Sequence, residues 1–109
     1  MTGRVSYLGE FEQVVLLAVA RLKSDAYGMG LRAEIAERLG RVVSIGAIYA
    51  TLDRLVAKGY LSQRDEETRG RARRFFALTA SGVNALEAAR ELQRRMWAGI
   101  QLSKEGKRS

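Results

Sequence analysis

The chain contains no cysteine, no histidine and no proline among its 109 residues. Without cysteine, disulfides and thiolate metal sites are excluded, and the redox compartment stays undetermined. Without histidine, the commonest general base and the commonest metal ligand are both missing. An enzyme would have to work through carboxylates or lysine. The acidic run Asp65-Glu66-Glu67 reads as part of a turn, not as a buried pair with separated pKa values. No enzymatic activity, metal or cofactor is therefore expected. Long apolar runs are also missing: the longest, Val14 to Ala20, has seven residues, far short of the ~20 that a spanning helix needs. No apolar segment followed by a small-residue cleavage site is found near the start, so a cytoplasmic location is expected.

What is present fits one small domain. Apolar residues make up 47% of the chain, enough for a core and too many for a disordered polymer. A domain of this size is poor in core volume, which favours oligomerisation. The net charge is +7, and it is unevenly placed. Residues 1–40 carry five basic and five acidic side chains, residues 41–74 eight and four, and residues 75–109 six and three. A basic excess in the second half suits a polyanionic partner.

Periodicity divides the chain into short elements. After an irregular stretch over 1–8, a helix is expected from Gly9 to Lys23, with Phe11, Val14, Val15, Ala18 and Leu22 on one face. Leu16, Leu17 and Val19 widen its apolar surface, so burial on more than one side is expected. A second helix runs to Leu39, with Leu31, Ile35 and Leu39 aligned and Gly40 as its stop. Arg41-Val42-Val43 reads as a brief extended piece, and Ser44 sits where an N-cap belongs. The third helix runs to Lys58, with Ile48, Leu52, Leu55 and Val56 facing inward. Two strands, Tyr60–Arg64 and Arg73–Leu78, are expected to flank a turn over Asp65–Ala72. Phe76 and Leu78 should share one face of the second strand, and Phe75 and Ala77 the other. Thr79 can cap a last helix that reaches about Leu102. The predicted fold is mainly α with a small β-hairpin: a winged helix-turn-helix over 9–79, a long C-terminal dimerisation helix over 80–102, and a disordered basic tail over 103–109.

That arrangement presents one helix to a DNA major groove and a basic loop to the backbone beside it. On the third helix, Ser44, Gly46, Ala47, Tyr49, Ala50, Thr51, Arg54 and Lys58 are the candidate DNA-binding residues. The small ones allow close approach, and Tyr49 and Thr51 can bond to phosphate. Only Arg54 and Lys58 are basic on this helix, so readout of several guanines by arginine forks is not available, and shape should contribute. The wing adds Arg69, Arg71, Arg73 and Arg74 beside Gly70, a set suited to phosphates or a narrow minor groove. The alternative for the wing is a solvated hairpin in which the acidic run neutralises the arginines.

The segment Val43-Ser44-x-Gly46-x-Ile48-Tyr49-x-x-Leu52-x-Arg54-Leu55, continuing to Gly59-Tyr60-Leu61, resembles the helix motif of PadR-type transcriptional regulators. Gly70-Arg71-x-Arg73-Arg74-Phe75-Phe76-x-Leu78-Thr79-x-x-Gly82 is similar to the wing and strand motif of the same family. The resemblance covers roughly Leu8 to Leu102. The family usually has two tyrosines where this chain has Phe75 and Phe76, so any contact through a phenolic hydroxyl is absent there. The resemblance implies a cytoplasmic homodimer that usually represses transcription from a pseudo-palindromic operator in double-stranded DNA. It also implies that the last helix of each subunit packs against the first helix of its partner.

The residues point to the same dimer. A helix of about 23 residues would span ~35 Å, more than so small a domain can cover. The candidate interface residues are Phe11, Val15, Leu86, Ala89, Gln93, Met96, Trp97 and Ile100. Some short PadR-type regulators bind planar aromatic compounds at this interface. Met96 and Trp97 are therefore candidates for a small aromatic effector, against the simpler use of Trp97 as an interface anchor. The competing function for the whole chain is a winged-helix module for protein–protein interaction within a larger assembly. Four arginines in the wing favour DNA over that alternative.

Overall fold

The computed structural model describes residues 8–104; the expectations for 1–7 and 105–109, an irregular start and the end of a basic tail, lie outside these residues. Helix α1 spans Glu10–Leu22, α2 Gly28–Leu39 and α3 Ile45–Ala57. Strands β1 (Leu61–Thr68) and β2 (Arg71–Leu78) pair as an antiparallel hairpin, and α4 covers Ala80–Trp97. The mainly α winged-helix fold read from the sequence is the fold observed.

Local chemistry sets the boundaries. Gly9 is extended at the start of α1, and its N–H donates to the Glu12 carboxylate at 2.9 Å. Gly40 ends α2 with a φ of +74°, the left-handed turn that glycine adopts without penalty. The Ser44 hydroxyl accepts from the Ala47 N–H at 3.0 Å and caps α3, an interaction that contributes about 1 kcal/mol. Ile48, Leu52 and Leu55 then fall on one side of α3 and join Leu16, Leu31, Ile35 and Phe76 in a core from which water is fully excluded. Each such side chain contributes about 1.5–3 kcal/mol on burial. Phe76 is the link that fastens the hairpin to the three helices.

Thr79 joins two parts of the molecule. Its hydroxyl accepts from the Gly82 N–H at 3.0 Å, capping α4, and donates to the Gly59 carbonyl at 2.6 Å in the turn after α3. Gly82 lies against the Tyr60 carbonyl so closely that a Cβ there would collide with it. The start of α4 is therefore held against the end of α3.

In four places the structure departs from the sequence expectation or adds to it. The hairpin is longer, because its turn is only Arg69-Gly70, with φ of +55° and +74°. Two positive φ values match the twist of the flanking strands, so pairing continues to the tip. The acidic run consequently lies within β1, where Asp65 faces Arg74 and Glu66 faces Arg73 across the ladder. Phe75 is also buried, not only Phe76, because its side of β2 packs against Tyr27, with ring centroids 5.5 Å apart. Arg41–Val43, expected as a brief extended piece, forms no strand; the hairpin instead meets Tyr27, just before α2, through an isolated antiparallel bridge to Phe75, while the Phe76 N–H donates to the Ala26 carbonyl at 2.8 Å. The Val43 carbonyl is satisfied by the Arg32 guanidinium at 2.7 Å instead. Finally, α4 stops at Trp97 rather than Leu102: Ala98 turns extended and Gly99 takes a φ of +79°. Its 18 residues span ~27 Å.

The radius of gyration is 16.9 Å, above the ~13 Å of a compact chain of about 100 residues. Among the described residues, no helix is long and apolar enough to cross a membrane.

Candidate nucleic-acid interface

The outward face of α3 is small and nearly uncharged. Gly46, Ala47, Ala50, Asp53, Arg54 and Ala57 are exposed, opposite the Ile48–Leu52–Leu55 stripe. A Cβ at Gly46 would meet nothing within 4 Å, so no packing inside the chain demands glycine there. The absence of a side chain leaves backbone open to whatever approaches from outside. Thr51 departs from the expectation. It is 3% exposed, and its hydroxyl accepts from Arg54 at 3.3 Å, so it belongs to the helix interior and not to the reading face. Tyr49 is half-buried, its phenol lying against Gly28 at the start of α2, where any Cβ would collide with it.

The charges flanking this face are paired within the chain. On one side, the Glu12 carboxylate accepts from Lys58 Nζ at 2.9 Å and from Arg54 Nε at 3.3 Å. On the other, Arg74 donates to Asp53 at 2.6 Å and to Gln63 at 2.9 Å, its guanidinium lying over Tyr49 and Phe76. Sequence reading missed Glu12, Asp53 and Gln63 because nothing local marks a pair separated by more than ten residues. The Arg74 Nε is buried and has no hydrogen-bond partner among the described residues.

Burial pushes the Glu12 carboxyl up, but the Lys58 and Arg54 hydrogen bonds, the Gly9 N–H and the Lys58 charge together outweigh burial and hold it below the usual carboxylate value. A depressed folded pKa means the contact stabilises the protein above the unfolded value, about 4.3. That contribution disappears as pH falls through the folded value. Urea unfolding of the wild type and of Glu12→Gln should therefore show a smaller acid-dependent loss in the variant. Parallel losses in the two proteins would assign the acid sensitivity to other groups.

The wing separates its arginines by strand alternation. Arg73 turns to the face that carries Tyr27, 4.5 Å above that ring, and is half-buried. Arg74 turns to α3. Arg69 and Arg71, at the tip, are exposed and make no ion pair among the described residues. Glu66 pairs with Arg64 at 2.7 Å and does not neutralise the tip. Between wing and helices lies an open cleft lined by Tyr27, Met29, Tyr49, Arg71, Arg73 and Arg74. Tyr27 and Met29 in this cleft were not among the residues predicted from the sequence.

The candidate dimer face is a separate surface. Leu17, half exposed on α1, meets Leu78, Val83, Leu86, Ala89 and Gln93 along an apolar groove between α1 and α4. Leu86, Ala89 and Gln93 are thus brought together, while Leu17 and Val83 were not predicted. Val15 is a correction: at 0% exposure it is core, because the three-helix packing takes that side of α1. Phe11 is half-buried and packs on the same core. Met96 is 70% exposed and Trp97 54%, with the indole N–H donating to the Gln93 side chain at 3.2 Å. Ile100 lies beyond the end of α4, after Gly99, and not on the helical stripe.

The fold has parallels among known proteins. RosR of H. salinarum is 26% identical, with a TM-score of 0.69 over 86% of this chain and 81% of its own. A PadR family transcriptional regulator from Eggerthella lenta is 22% identical, with a TM-score of 0.67 over 83% and 81%. A winged-helix DNA-binding protein from STIV is 23% identical, with a TM-score of 0.64 over 88% and 100%. No curated protein matches the chain significantly. The model of the transcriptional regulator PadR-like family matches residues 16–88, which hold α1 from Leu16 onward, α2, α3, the hairpin and half of α4. This chain belongs to the PadR-like family of transcriptional regulators.

Proposed function

We propose that the protein is a sequence-specific, homodimeric DNA-binding repressor of the PadR type that acts in the cytoplasm. One observation carries the DNA-binding part: a helix with an open, small-residue face stands beside a hairpin whose tip bears two exposed arginines, Arg69 and Arg71, that make no ion pair among the described residues. Small residues let the helix enter a major groove closely, and the tip supplies phosphate neutralisation. With the flanking charges paired inside the chain, sequence preference comes from close steric fit and DNA shape more than from arginine forks. An interaction module would be expected to show an apolar, uncharged wing, which this chain does not have.

The apolar α1–α4 groove and the exposed Met96 and Trp97 support the dimer. The use we assign to Trp97 is an anchor in that interface, and an aromatic effector would have to compete for the same surface. Binding to the DNA upstream of the protein's own gene, measured at two salt concentrations, tests the reading. Affinity should fall steeply between about 50 and about 200 mM salt. No binding at the lower salt would defeat it.

A further inference from the structure

We infer that Glu12 tunes DNA discrimination by withholding Arg54 and Lys58 from phosphates, so that these two cations add nothing to affinity for unrelated DNA. The inference rests on the DNA-binding reading above. Arg54 and Lys58 are the only basic residues of α3 and its cap, and the Arg54 side chain is 53% exposed on the rim of the reading face. Cations so placed ordinarily neutralise phosphates of any sequence. Here both are held by one oxygen, Glu12 Oε2, and Arg54 is tied further to Thr51.

The carboxylate cannot follow them outward. Glu12 is 7% exposed, and its other oxygen is anchored by the Gly9 N–H. A phosphate that took these cations would strand a buried charge, which costs more than an exposed phosphate contact returns. The pair therefore faces inward. The neutral stripe of Gly46, Ala50 and Ala57 is left to select DNA by fit. Non-specific attraction then draws on the wing tip rather than on α3.

The test measures salt dependence on a duplex of scrambled sequence, with melting curves to establish that each protein is folded. Glu12→Gln keeps an oxygen for the Gly9 N–H and releases both cations. Its plot of log affinity against log salt should steepen by about 0.9–1.8 per subunit, and its preference for the specific site over the scrambled duplex should fall. The triple variant Glu12→Gln, Arg54→Gln, Lys58→Gln strands no charge and should return to the wild-type slope. It also decides the matter if the single variant does not fold. A single variant with an unchanged or shallower slope overturns the inference, as does a triple variant shallower than wild type by about 0.9 or more. Wild-type protein that binds neither scrambled nor upstream DNA at low salt overturns the DNA-binding reading and this inference with it.

Discussion

Replacing Arg69 and Arg71 together with glutamine is expected to weaken binding to every duplex by about 10²–10³-fold for a dimer near physiological salt. Each phosphate contact contributes about 0.9 to the salt slope, so four lost contacts in a dimer remove about 3.6 from it. Both side chains are exposed and without an ion pair among the described residues, so the fold should survive. The loss should be uniform across sequences, because phosphate contacts position a protein without reading bases. A loss confined to one preferred sequence would mean that the tip reads bases in the minor groove instead. Equivalent titrations with Arg74→Gln should behave differently. That residue ties β2 to α3 through Asp53 and to β1 through Gln63.

The second large effect is expected from Leu17→Glu. Leu17 is 50% exposed in the single chain while its neighbours Leu16 and Ala18 are buried. The subunit should therefore fold with glutamate there at little cost, whereas a partner that covers this groove would have to bury the charge. Sedimentation should show a monomer. Affinity for DNA with two half-sites should drop by about 10²–10⁴-fold, the contribution that joining two weak sites makes. A variant that still sediments as a dimer would place the interface elsewhere on the molecule.

Much of this molecule was legible in the sequence, and the misses have a common cause. The apolar spacing of Ile48, Leu52 and Leu55 identified the inner side of α3, and Ser44 and Gly40 marked helix ends through chemistry that is local. Thr51 was misplaced because threonine reads as polar, although the helix turns it inward, and Val15 because periodicity cannot say which of two apolar faces the core will claim. The turn at Arg69-Gly70 was blurred by the charged residues around it, which pattern like a loop until strand register is known. The pairs Glu12–Lys58 and Asp53–Arg74 join positions far apart in the chain. No propensity or period encodes such a meeting. It exists only once α1, α3 and the hairpin are packed, and it changes what the candidate reader helix would offer to DNA from a basic surface to an almost neutral one.

Thr79 bonds to the turn that ends α3 while capping α4. The candidate reader helix and the candidate dimer helix are therefore joined at a fixed corner. In a dimer joined through α4, the separation of the two reader helices is then a built-in length, set by the 18 residues of that helix. Such a protein measures DNA before it reads it: half-sites at the wrong distance along the duplex are rejected by geometry, whatever their bases.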